Sequence, residues 1–126
     1  MKTDVIVVSN GNRGLVYRCL CSLADHSSPE QLGRVCISWN GDDETRAKVE
    51  KQCKSLGFDW KLECLPYHFA KNNNFMVKMH CSSDALLFLN DDVELRDNFI
   101  ERALEVVEKA NVGTVGCKLV RLDKKI

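Results

Sequence analysis

Two adjacent carboxylates, Asp91 and Asp92, follow the apolar run Ala85 to Leu89 in the stretch LLFLNDDVELR. An isolated carboxylate beside a core is costly, so such a pair needs a cation, hydrogen-bond donors or water to face. One chemistry suits them directly: oxygen ligands that hold Mg2+ or Mn2+ and leave coordination positions for phosphate oxygens and water. A cation held there would neutralise a diphosphate and stabilise it as a leaving group. A solvated turn leading into the next helix is the plainer reading. Two other polar clusters carry the same double meaning. SNGNRG, residues 9–14, is either a tight turn or a loop whose backbone N–H groups wrap a nucleotide, and it matches neither GxGxxG nor a P-loop. KNNNF, residues 71–75, is either an Asx-rich loop and helix cap or a set of ligand contacts from Lys71 and the Asn side chains. The three histidines, His26, His68 and His80, read as structural or solvated.

The elements that must position these clusters alternate along the chain. Asp4 to Val8 is a short β-branched run that stops at the SNGNRG turn. Val16, Leu20 and Leu23 then recur at helical spacing, up to the stretch Asp25 to Ser28 before Pro29. Arg34 to Trp39 reads as a second strand, and Asp42 or Asp43 caps a helix that carries Val49, Cys53 and Leu56 on one face and closes at Gly57. DWKLECL alternates as a strand up to Pro66; a loop PYHFAKNNN and a helix from about Phe75 to Ser83 follow. Ala85 to Leu89 is the next strand. Asn98 and Glu101 have capping-box spacing for a helix to about Ala110, and GTVGCKLVRL gives a last strand. Strands separated by helices predict one α/β domain over 1–126, with a mainly parallel sheet flanked by helices on both faces. In such sheets ligands bind beyond the carboxyl ends of the strands, where all the polar clusters lie.

Composition narrows the function classes. Eighteen basic residues balance eighteen acidic ones in 126, which argues against a general nucleic-acid or membrane binder. No run approaches the ~18 apolar residues of a membrane span, and MKTDVIVVSN turns polar too soon for a signal peptide. Seven cysteines form no CxxC pair; Cys36 and Cys64 in strands and Cys53 on a helix are expected to be buried as reduced thiols. The expected location is therefore cytoplasmic, a reducing compartment.

Read in order, the motifs resemble family 2 glycosyltransferases of the Rossmann-like GT-A fold. DVIVVSNGNRGLVYRCLCSL is similar to the family's opening strand, P-T-Y-N-R-like turn and helix; Asn12 and Arg13 match that turn, while Ser9, Asn10 and Gly11 depart from it. CISWNGDDET resembles the second strand with its D-N-G-S-x-D-x-T ending, and FAKNNNFMV the F-S-x-x-x-N helix start. LLFLNDDVEL resembles the L-L-F-L-N-x-D-V-E segment with its DXD-type motif, and VGTVGCKLV the strand after the next helix. The resemblance implies that Asp92 ligates Mn2+ or Mg2+, that Asp91 meets the ribose or a metal-bound water, and that Asn90 takes the first place of the triplet. It further implies that Ser9, Asn10, Asn12, Arg13, Trp39, Asn40, Asp43, Lys71 and Asn74 line a UDP- or GDP-sugar. Trp39 stands where the family usually has an Asp; the Trp39-Asn40 pair also occurs in exostosin-like glycosyltransferases, and its ring either stacks on the base or fills the core.

The implied activity is transfer of a sugar from the nucleotide-diphosphate donor to a glycan, protein or lipid acceptor. The family carries its acceptor half and catalytic base beyond the segment matched here, so none of Asp42, Asp43, Glu94 and Asp97 is assigned as the base. The alternative is a non-catalytic nucleotide-sugar-binding module, or a subunit completed by a partner chain or a second copy. A phosphoacceptor receiver domain is disfavoured because it places its acids after the first strand, where SNGNRG has none.

Overall fold

The computed structural model describes residues 1–117. Four strands alternate with four helices: β1 (Thr3–Ser9), α1 (Arg13–Asp25), β2 (Leu32–Trp39), α2 (Asp43–Leu56), β3 (Asp59–Cys64), α3 (Phe69–His80), β4 (Ala85–Phe88) and α4 (Phe99–Val107). All strand pairs are parallel, in the order β3-β2-β1-β4. Chain order thus runs outward from β1 in two directions and reverses between β1 and β4. That reversal marks the crevice where open α/β sheets bind ligands.

The side chains of β1 explain its central place. Every residue from Thr3 to Ser9 is buried, because both strand edges are paired and both faces are covered. Val5 and Val7, with Val35 and Ile37 of β2, pack against Val16, Leu20 and Leu23 of α1, Val49 and Cys53 of α2, and Ile100 and Leu104 of α4. Ile6, Val8 and Cys36 point the other way, onto Met76 of α3. A run of alternating but uniformly apolar residues is what a strand between two helical layers requires.

The helix ends follow local chemistry. Asp42, rather than Asp43, caps α2: its carboxylate accepts from the Thr45 N–H at 2.8 Å and the Thr45 hydroxyl at 2.6 Å. The Thr45 hydroxyl and then its N–H hold the Asp42 carboxyl below the usual range. Gly57 closes the helix at φ 80°, donating to the Cys53 carbonyl at 3.2 Å.

Four expectations are corrected. Helix α3 starts at Phe69 and ends at His80, so Lys71 to Asn74 lie in its first turns and not in a loop. The reason is where the amides turn: Asn72 donates to the Pro66 carbonyl at 2.9 Å and Asn73 to the Phe69 carbonyl at 3.0 Å, so two turn-forming residues are satisfied inside a helix. Cys64 ends the edge strand β3 and is exposed. Helix α4 stops at Val107, and the Asn98 amide meets the Glu101 carboxylate at 3.2 Å in place of the reciprocal backbone bonds of a capping box. Of the expected last strand, residues 113–117 belong to no strand and the remainder lies outside the described residues.

At the amino end of β1, Asp4 is almost completely buried. One carboxylate oxygen accepts from the Arg34 N–H and the Ser83 hydroxyl, both at 2.7 Å; the other accepts from the N–H groups of Ser82 at 2.7 Å and Ser83 at 2.9 Å. Burial by itself would raise its pKa, but these donors outweigh burial and hold the carboxyl below the ordinary range. Asp4 thereby fastens β1, β2 and the segment after α3 together, far along β1 from the polar clusters.

Candidate active site at the carboxyl ends of β1 and β4

The SNGNRG segment leaves β1 in a sharp turn that its own residues fix. Asn40 N–H bonds to the Ser9 carbonyl at 3.1 Å, and the Asn40 amide donates to the Asn10 side-chain oxygen at 2.8 Å. Gly11 adopts φ +89° directly against the Asn40 backbone. The Asn12 side chain caps α1, accepting from Leu15 N–H at 3.0 Å. Arg13 opens α1 with its guanidinium 5.6 Å from the centre of the Tyr17 ring, and its Nε is buried with no hydrogen-bond partner among the described residues. Because a Cβ on Gly11 would run into the Asn40 carbonyl oxygen at a φ that disfavours side chains, Gly11→Ala is expected to destabilise the fold by about 2 kcal/mol or more. Urea denaturation measures this; a midpoint equal to that of the unaltered chain would refute the close approach.

Across the crevice, β4 delivers the acidic turn. Leu89 N–H bonds to the Ile6 carbonyl at 2.9 Å, and the chain then turns through Asn90-Asp91-Asp92, with Val93 N–H on the Asn90 carbonyl at 3.2 Å. The Ser9 hydroxyl donates to the Asp91 carboxylate at 2.8 Å, joining the two strand ends across the point of reversal. Helix α1 holds the rest of the turn. The Cys19 thiol contacts the Asn90 carbonyl at 3.7 Å, Arg18 lies 3.8 Å from Glu94, and Leu95 N–H donates to the Ser22 hydroxyl at 2.9 Å. Burial, then the negative charges of Asp91, Asp92 and Glu94, push the Cys19 thiol up to about 12, so it stays protonated and remains a donor. Asp92 is exposed and, among the described residues, has neither an ion-pair partner nor a hydrogen-bond donor.

Asp91 and Asp92 fit a divalent cation by the chemistry of their donor set: two hard carboxylate groups at one turn, with no lysine or arginine ion-paired to them among the described residues. No cluster of three or more acidic, His or Cys side chains arranged for a metal exists among the described residues. Ligand oxygens and water would therefore complete the coordination shell, as is usual for Mg2+.

The structure brings Ser9, Asn10, Asn40, Asn90 and Asp91 together and ties them by the bonds above. Asn12 and Arg13 follow in the same turn, but the Asn12 oxygen is already engaged as a cap. Asp43 stands in solvent in the first turn of α2, 3.8 Å from Arg46. Lys71 and Asn74 are exposed on the opening turns of α3, which follows the carboxyl end of β3; among the described residues no side-chain hydrogen bond links them to the Ser9–Asp91 pair. Trp39 settles the open alternative for its ring. It is fully buried within the α1 and α2 layer, so the indole fills the core and offers no face to a base. Gly41 lies against it, since a Cβ there would come within 2.7 Å of the indole Nε1. Sequence reasoning missed the tethers Cys19 and Ser22; their signal is only that small polar residues stand on the buried face of α1.

Comparisons with known proteins agree with this architecture. An uncharacterized glycosyltransferase, the MG060 homolog of Mycoplasma pneumoniae, is 28% identical over 134 residues, covering all of this chain and 43% of its own length. The O-antigen biosynthesis protein RfbC of Myxococcus xanthus is 36% identical over 56 residues, 44% of this chain and 4% of that protein. Among solved structures, the mannosyltransferase PcManGT from Pyrobaculum calidifontis, in complex with GDP-Man and Mn2+, superposes with a TM-score of 0.81 at 18% identity, over 96% of this chain and 36% of that one. Residues 1–349 of S. aureus TarS in complex with UDP give 0.68 at 21% identity, over 86% of this chain and 32% of that one. The chain thus spans well under half the length of these proteins, and it has the GT-A fold. No helix among the described residues is long and apolar enough to cross a membrane. The family model for glycosyl transferase family 2 matches residues 4–125, nearly the whole sequence, and the chain belongs to that family.

Proposed function

We propose that this chain binds the diphosphate of a nucleotide-sugar donor between the carboxyl ends of β1 and β4, for transfer of the sugar to a glycan, protein or lipid acceptor. The observation that carries the reading is the Asp91-Asp92 turn at the point where strand order reverses, with Asp92 left without a partner among the described residues. Asp92 would hold Mn2+ or Mg2+ directly and Asp91 would face the ribose or a metal-bound water. The cation, when bound, neutralises the diphosphate so that it leaves readily. The exposed Asn10–Asn40 pair and Arg13 would line the nucleotide beside it, with Lys71 and Asn74 from α3. A donor of the UDP or GDP class accords with the ligands of the two solved relatives.

The test is a thermal-shift panel of UDP, GDP, CDP and ADP and their sugars, each with and without Mn2+. A ligand at ten times its Kd adds roughly 1.4 kcal/mol, a shift of about 3 to 8 °C for a domain of this size. A Mn2+-dependent shift with UDP or GDP is expected. No shift with any nucleotide would sink the reading.

A second reading, a donor-binding unit completed by another chain, has its own observation. By register Leu86 pairs with Asp4 and Phe88 with Ile6, so both point to the α3 face of the outer strand β4. They are exposed there, as are Phe75 and Met79 of α3. Among the described residues β4 is the last strand on this side of the sheet, and exposed apolar side chains on such an edge are a surface that natural proteins cover. A solution mass equal to one chain would count against this second reading.

A further inference from the structure

We propose that Ser9 is a positioning residue: its hydroxyl locks the Asp91 carboxylate in place so that the acidic turn is set before any ligand arrives. This goes beyond the donor-site reading and rests on it, because it removes Ser9 from the nucleotide contacts and gives it a role through Asp91.

Ser9 is 1% exposed, so its hydroxyl has no surface from which to meet a nucleotide. It donates instead to one Asp91 oxygen at 2.8 Å, across 82 residues of sequence. A hydroxyl that donates to a carboxylate forms a short, charge-assisted bond, stronger than a neutral one. It fixes the Asp91 rotamer and leaves the second carboxylate oxygen without a partner among the described residues, free to face the crevice. The neighbouring positions are tied independently: Asn90 through Cys19, Glu94 through Arg18, and Leu95 through Ser22. Among the described residues Ser9 supplies the one side-chain tether to the middle of the turn, and the tether comes from β1, the most buried strand of the sheet. Among the described residues Asp92 is then the one acid of the turn left unbound. Holding one carboxylate rigid and leaving its neighbour available lowers the ordering that binding would otherwise require.

The experiment titrates MnCl2 with UDP and with GDP into the full chain by calorimetry, for Ser9→Ala, Asp91→Ala and the double variant, alongside Ser9→Thr. Ser9→Ala is expected to weaken Mn2+-dependent nucleotide binding about 10- to 100-fold, the scale of one charge-assisted hydrogen bond, and to leave metal-independent binding unchanged. In the Asp91→Ala background the same substitution should cause no further loss, and Ser9→Thr, which keeps the hydroxyl, should restore affinity. A general packing role would give additive losses and an equal drop without metal, and either result overturns the lock. So does full affinity in Ser9→Ala. If the unaltered chain shows no Mn2+-dependent binding at all, the donor-site reading itself fails and the lock falls with it, a result separable from a failure in the variants alone.

Discussion

Asp92→Ala is expected to abolish Mn2+-dependent binding of the nucleoside diphosphate, by at least about 100-fold, while leaving the fold unchanged. The size follows from the role: a cation bridging a carboxylate and a diphosphate contributes several kcal/mol, and each 1.4 kcal/mol is tenfold in Kd. The selectivity follows from exposure. Asp92 is exposed and makes no hydrogen bond or ion pair among the described residues, so its removal should move stability by no more than about 0.5 kcal/mol. Calorimetry with and without Mn2+, paired with a thermal melt of the free protein, separates the two effects. Unchanged metal-dependent affinity would remove Asp92 from the site.

The second large effect lies at the opposite end of β1. Asp4→Asn keeps the shape of the side chain but turns one acceptor into an NH2 group facing donors. Four hydrogen bonds converge on this carboxylate, so the expected loss is about 3 kcal/mol or more at neutral pH, a large part of the roughly 5–15 kcal/mol that holds a domain together. The pH dependence has a definite sign. The folded carboxyl is held below its unfolded value, so its contribution is fully present above about pH 4 and is lost as pH falls through the lowered folded pKa. Urea denaturation from pH 7 down to pH 3 should therefore show the gap between the two proteins narrowing in acid. A gap of under about 0.5 kcal/mol at pH 7 would contradict the anchor, and a gap that widens in acid would contradict the sign.

Much of the frame was legible because it is local. The β-branched run of β1, the Asp42 cap, the Gly57 stop and the polar strand ends each declare themselves within a few residues. Helix α3 was misplaced because Asn72 and Asn73 look like turn residues until their amides are seen bonded to carbonyls four to six positions back. Trp39 could not be decided from its neighbours, since its burial depends on α1 and α2 closing over the end of β2. Asp4 read as the edge of an apolar run; only the backbone N–H groups some 79 residues later reveal an anchor. The Ser9–Asp91 bond is invisible for the same reason: the sequence contains both groups but not their proximity.

The central position of β1 also bears on how the chain is made. Its first neighbour, β2, emerges from the ribosome soon after it, but its second edge stays open until residues 85–88 have been synthesised. Three of the four hydrogen bonds to Asp4, those from Ser82 and Ser83, become possible only just before that, and Asp91 arrives just after. Until then VIVV is a half-covered apolar strand with free backbone groups, the kind of segment that pairs wrongly when folding waits on distant contacts. Closure of the sheet and assembly of the acidic turn then come within a few residues of each other, so the nascent chain gains its protection and its candidate site in nearly the same moment.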